Sequence, residues 1–194
     1  MHFYHIVRFI ANIVFRIIFR FDIKGIENIP QKGRVVLCSN HISILDPIML
    51  AIAIPRPIIF MAKKELFENK FLAKLIHGLG SFPVDRQGAD ISSIKKSLRT
   101  LKGEKILGIF PEGTRVQKMD LDNVKPGVGL ISIKSKSPII PVYIESKYKL
   151  FNKVTIKVGK PMYFDSDYEK KLTIENYKDI SISIMESIYS LKNL

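Results

Sequence analysis

The side chains of this 194-residue chain best arranged to move a proton are His41 and Asp46, in the stretch Asn40-His41-Ile42-Ser43-Ile44-Leu45-Asp46-Pro47. They follow an apolar run, residues 34–39, that reads as a buried strand. Five residues on an ideal helix rotate a side chain by about 140°, so the two cannot share a helical face. They can meet if His41 lies in a turn and Asp46 opens the next helix. Asp46 suits an N-cap and Pro47 the first helical position. The carboxylate would then take one imidazole N–H and leave the other nitrogen as a base.

The elements around this pair alternate. Short apolar runs at 58–62, 81–84, 105–110 and 138–144 read as further strands, with shorter ones at 21–25 and 153–158. The last alternates and is expected at a sheet edge. Helical spacing appears at 3–21, 47–54, 69–77, 89–101, 127–135 and within 165–194. Strands alternating with helices indicate an α/β sheet covered by helices, whose ligands gather at the carboxyl ends of the strands. Those ends carry His41 and Asp46, then Lys63 and Lys64, then Arg86, then Glu112 and Arg115. A base, an acid and several cations on one rim suit proton abstraction beside a bound phosphate.

Four ordered blocks now carry a resemblance. They are Asn40-His41-x4-Asp46, Phe82-Pro83-Val84-Asp85-Arg86, Phe110-Pro111-Glu112-Gly113-Thr114-Arg115 and Ile140-Pro141-Val142-Tyr143-Ile144. Together they resemble the glycerolipid acyltransferases, and within them the bacterial 1-acyl-sn-glycerol-3-phosphate acyltransferases. Met61-Ala62-Lys63-Lys64-Glu65-Leu66 and the lead-in Gly25 to Pro30 are similar to that family too. The resemblance implies an α/β fold with a mixed, mostly parallel sheet covered by helices. It implies acyl transfer from acyl-CoA or acyl-carrier protein to the free hydroxyl of lysophosphatidic acid. His41 would be the general base and Asp46 its orienting partner, with no acyl-enzyme. Arg86 and Arg115 would hold the phosphate and Lys63 add charge, with Glu112, Gly113 and Thr114 lining the acceptor. No metal or redox cofactor is implied. Another lyso-lipid acceptor remains an alternative inside the family.

Residues 1–22 form a segment apart from the catalytic domain at 23–194. Arg8, Asn12, Arg16 and Arg20 recur every four residues, drifting about 40° per step, and so stay within about 120° of a helix. The rest of that helix is aromatic and aliphatic. It is expected to lie in the membrane interface with its arginines toward lipid phosphates, the alternative being packing on the protein's own core. Its longest uncharged run, 9–15, falls far short of the about 20 residues a bilayer takes. The formal net charge of +13 calls for an anionic partner. A basic nucleic-acid module is disfavoured, because no aromatic residues interleave with the lysines as a stacking platform. A non-catalytic basic membrane-binding module is the alternative from another class. The expected location is the cytoplasmic face of the cell membrane. The single cysteine, Cys38, excludes an intrachain disulfide and reads as buried. His2, His5 and His77 are assigned structural roles, and Ser39 and Ser43 are read as turn hydroxyls.

Overall fold

Val35–Ser39 is apolar almost throughout and buried at every position, which requires cover on both faces. A computed structural model, describing residues 2–85, 90–116, 118–122 and 124–193, supplies that cover. Among the described residues the sheet has seven strands: β1 (Arg20–Lys24), β2 (Val35–Ser39), β3 (Ile58–Lys63), β4 (Phe82–Val84), β5 (Ile106–Ile109), β6 (Ile139–Ser146) and β7 (Lys153–Val158). Their order is β1-β7-β6-β2-β5-β3-β4, parallel except for the antiparallel β6–β7 pair. The mixed, mostly parallel α/β sheet expected from the sequence is therefore the observed one.

Helices α1 (His2–Ile18) and α2 (Asp46–Ala53) lie on one side, with α4 (Ile91–Lys102), α5 (Gly127–Ser135) and α6 (Ile174–Ser190) on the other; α3 is Lys70–Gly78. The alternation of β2 divides the core. Val36 and Cys38 pack with Leu101, Ile131 and Ile184, while Val35 and Leu37 pack with Met49 and Leu50. Cys38 is buried, as expected, and burial pushes its thiol far above the ordinary range.

Two expectations are corrected. Residues 153–158 form a strand, but not at an edge. β1 pairs along the outer side of β7 from Arg20↔Lys153 to Lys24↔Lys157. The alternation reflects Val154, Ile156 and Val158 facing the core while Lys153 remains exposed, a pattern an inner strand shares when one face is only partly covered. The edges are β1 and β4. Of the expected arginine stripe, Arg8 turns onto the protein, while Arg16 and Arg20 stay exposed. Arg8 donates to the carbonyls of Ile52, Ile54 (2.8 Å) and Pro55, satisfying acceptors that α2 leaves open at its end. Arg16 bonds Asn12 at 2.8 Å and lies over the Phe21 ring. Tyr4 is buried, and its hydroxyl accepts from the Ile58 N–H. The outward face of α1 is the apolar one: Ile6, Phe9, Ile10, Ile13 and Ile17 are exposed.

α5 is apolar nearly all round because it is buried between α4 and α6. At Gly129 a Cβ would sit 2.2 Å from the Tyr177 carbonyl oxygen, so only glycine lets α5 and α6 approach this closely. The Gly129 N–H donates to Ser181 Oγ at 3.0 Å in that contact. Gly129→Ala is expected to destabilise the protein by about 1–3 kcal/mol through overpacking, read as a lower denaturant midpoint at unchanged m-value.

Candidate active site

The central strand β2 is flanked by β5 and β6, all three parallel, with Cys38 opposite Ile109 and Ser39 opposite Val142. That register brings the segments after all three strands to one rim. Asn40 fixes the first. Its side chain pairs with the β6 backbone, Nδ2 donating to Ile144 O at 2.9 Å and Oδ1 accepting from Ile144 N at 2.7 Å. The chain must then turn at His41.

The turn closes on Asp46, which has no exposed surface. Its Oδ2 accepts from the backbone N–H groups of Ile42 and Ser43, both at 2.7 Å, and lies 2.8 Å from His41 Nδ1. Its Oδ1 accepts from the Tyr148 hydroxyl at 2.6 Å. Asp46 is not the N-cap expected from the sequence. Leu45 holds that position without a side-chain bond, and Asp46 is the first residue of α2, with Pro47 next in the opening turn. A buried carboxylate needs every acceptor site matched. The N–H groups that match it here belong to the preceding turn, so the side chain reaches backward.

An ionised carboxylate only accepts, so His41 Nδ1 carries the proton and Nε2 keeps its lone pair. Among the described residues Nε2 has no hydrogen-bond partner, and the His41 side chain keeps 12% of its surface open. The imidazole stacks on Phe110, centroids 4.1 Å apart and planes 21° from parallel, and Phe110 stacks in turn on Phe60. Orientation is therefore set by the Asp46 bond at one edge and by a ring at one face.

The segment after β5 carries Glu112. Its Oε2 accepts from the His41 N–H at 2.7 Å, and Oε1 accepts from the Tyr189 hydroxyl of α6 at 2.6 Å. The carboxylate thus points inward and holds the backbone of His41. Burial pushes the Glu112 carboxyl up to about 7, against the opposing pull of Tyr189 and the His41 N–H. Gly113 adopts φ +67°, the left-handed conformation that turns the chain outward again. Thr114 and Arg115 are exposed beyond it, and the next residue, Val116, donates its N–H to the His41 carbonyl at 2.8 Å. Arg115 is thereby anchored one residue from a direct backbone link to His41.

The remaining cations are less centred. Lys63, at the end of β3, is about half exposed and pairs with Glu65 at 3.0 Å; Lys64 pairs with Asp85 at 3.5 Å. Arg86 lies outside the described residues. Two site residues escaped the sequence reading, Tyr148 and Tyr189. They reach Asp46 and Glu112 across 102 and 77 positions of chain. Tyr189 falls beside the apolar stripe of α6, and Tyr148 follows β6 in a lysine-rich stretch; neither spacing signals such a partner.

Comparison with known proteins bears on the family and the fold. The family model described as "Acyltransferase" matches residues 20–145. The chain is 34% identical over 173 residues to the 1-acyl-sn-glycerol-3-phosphate acyltransferase of Bacillus subtilis, covering 86% of this chain and 85% of that protein. It is 26% identical over 179 residues to the protein of the same name from Borreliella burgdorferi, covering 86% and 72%. The crystal structure of a 1-acyl-sn-glycerophosphate acyltransferase from Thermotoga maritima superposes with a TM-score of 0.76 at 20% identity. The match covers 98% of this chain and 78% of that one, and it shows the shared fold.

Glu112 makes a pH prediction. Its folded pKa lies above the roughly 4.3 of an unfolded glutamate, so the folded state binds an extra proton between the two values. That stabilisation is complete below the unfolded pKa and is lost as pH rises through about 7. Glu112→Gln, which cannot ionise, is expected to flatten the fall in unfolding free energy across this window. Urea titrations at a series of pH values measure it.

Proposed function

The chain belongs to the acyltransferase family, among the 1-acyl-sn-glycerol-3-phosphate acyltransferases, and from that premise we propose the reaction of this site. A fatty acyl group passes from an acyl thioester, acyl-CoA or acyl-carrier protein, to the 2-hydroxyl of 1-acyl-sn-glycerol-3-phosphate, giving phosphatidic acid. The observation that carries this reading is the His41 Nδ1–Asp46 Oδ2 contact of 2.8 Å, which leaves the Nε2 lone pair to act as the base.

His41 Nε2 takes the proton of the acceptor hydroxyl as that oxygen attacks the thioester carbonyl. The C–O bond forms, and the tetrahedral intermediate collapses by breaking the C–S bond. The proton then passes from the imidazolium to the departing thiolate. Asp46 stabilises the imidazolium while it exists, as the aspartate of a serine-protease triad does. Here the acceptor brings the nucleophile, so no covalent acyl-enzyme intervenes. Arg115, and Arg86 by the motif it ends, bind the acceptor phosphate through charge-assisted hydrogen bonds. Gly113 and Thr114 carry the loop past the glycerol, and Lys63 adds positive charge at the same rim. Glu112 orients the base through its backbone.

The acceptor is a lipid, so the enzyme must meet it at a surface. The exposed apolar face of α1 and the net charge of +13 support peripheral attachment to an anionic leaflet on the cytoplasmic side. Among the described residues no helix is long and apolar enough to cross a membrane.

His41→Ala is expected to lower CoA release with lysophosphatidic acid by about 10²–10⁴-fold, the usual worth of a general base. Retention on anionic vesicles should be unchanged, which separates an enzyme from a binding module. Normal turnover by this variant would refute the mechanism. Arg115→Ala should raise KM for the phosphorylated acceptor and leave that for a phosphate-free lyso-lipid unaltered. Equal losses on both acceptors would remove its phosphate role. Parallel assays with acyl-CoA and acyl-carrier protein identify the donor.

A further inference from the structure

The segment between β6 and β7 is held in a conformation that side chains rarely adopt. Tyr148 has φ +47° and Phe151 φ +61°, both left-handed and neither glycine. Such backbone persists where surrounding contacts over-determine it, and three of those contacts come from the root of α1. The Phe151 N–H donates to Ile18 O at 2.7 Å, the last carbonyl of α1. The Arg20 N–H donates to Asn152 O at 3.1 Å. The buried Phe19 ring meets Tyr148 edge to face, centroids 5.9 Å apart at 86°, and stacks on Phe15 of α1 on its other side. Fixed in this way, the Tyr148 hydroxyl reaches Asp46 Oδ1 at 2.6 Å, the one carboxylate oxygen that the His41 turn leaves unmatched.

We propose that Tyr148 is a positioning residue for acyl transfer, holding Asp46 from the side opposite His41 and tying the pair to the root of helix α1. This rests on the reading of His41 as general base. The groups that face the pair are Asp46 itself from α2, Tyr148 from the β6–β7 segment and Glu112 from the segment after β5, with Tyr189 of α6 behind Glu112. Burial first, and the adjacent Asp46 carboxylate second, push the Tyr148 phenol far above the ordinary tyrosine range. It therefore stays a neutral donor wherever the enzyme is assayed. Donation to Oδ1 withdraws charge from the carboxylate. It lowers the attraction of Asp46 for an imidazolium.

Tyr148→Phe keeps the ring on Phe19 and deletes only the hydroxyl. With Oδ1 released, the carboxylate holds the His41 proton more strongly. The imidazole titration, followed by NMR on histidine-labelled protein, should move up by about half to one pH unit. The His41 signal among the four histidines is assigned by its loss in His41→Ala. The acid limb of kcat/KM should move with it, and kcat should fall by roughly tenfold at unchanged KM. A fluorinated tyrosine placed at position 148 is a stronger donor of the same shape; it should shift the titration the other way and restore kcat. Phe19→Leu should reproduce the Tyr148→Phe shift in part, and its absence would overturn the tie to α1. Wild-type titration and kcat in Tyr148→Phe would overturn the proposal altogether. The NMR titration needs no turnover, so it gives its answer even where His41→Ala proves fully active and the general-base reading fails.

Discussion

A carboxylate with no exposed surface is the constraint on which this site is built. Removing such a charge from water costs several kcal/mol unless its oxygens are matched by donors. Asp46 meets four: two turn N–H groups, the His41 imidazole and the Tyr148 hydroxyl. No single element supplies them. The turn needs β2 to end at Ser39, and the hydroxyl needs β6 to run parallel beside it and carry the chain on to residue 148. The parallel arrangement of the central strands is therefore as much a part of the His41–Asp46 pair as the imidazole. An antiparallel neighbour would have delivered its following segment to the opposite edge.

Glu112 stands on the same rim under the opposite condition. It is less deeply buried than Asp46, yet among the described residues only two donors meet it, the His41 N–H and Tyr189. Two donors do not offset its desolvation, and its carboxyl titrates near neutrality. One carboxylate is thus committed to the imidazole ring and the other to the backbone of the same residue. The ring itself rests on Phe110, two positions before Glu112. His41 is held at its ring edge, its ring face and its main chain by segments from different strands. This is the preorganisation that proton transfer at a fixed site requires.

Much of this was legible in the residues because it is local. The apolar run at 34–39 and the switch between periods of two and of three to four announce themselves within a few positions. The block pattern joined His41 to Glu112 and Arg115 without any geometry. What was illegible depends on contacts made far along the chain. The alternation of Val154, Ile156 and Val158 is the same whether or not β1 covers the outer edge of β7, so pattern alone misplaced it. Asp46 before a proline has the composition of an N-cap, and only its burial redirects the side chain to the turn behind it. Arg8 looked like one of a row of lipid-facing cations. The carbonyls it bonds lie 44 to 47 positions away, at a helix end that no local rule connects to it.

Those last contacts bear on how His41 is placed relative to the exposed face of α1. α2 is gripped at both ends from the α1 region. Arg8 bonds the carbonyls of Ile52, Ile54 and Pro55 at its carboxyl end, and Phe19 supports the Tyr148 ring whose hydroxyl meets Asp46 at its amino end. An eight-residue helix spans about 12 Å, so two fixed ends leave it little freedom to pivot. The exposed apolar face of α1 and the Nε2 edge of His41 are consequently parts of one braced unit. A helix joined to the sheet only by its chain would let that apolar face and His41 drift apart. The price of the bracing is that Arg8, an apparent headgroup ligand, is spent inside the protein, which leaves the outward face of α1 chiefly apolar.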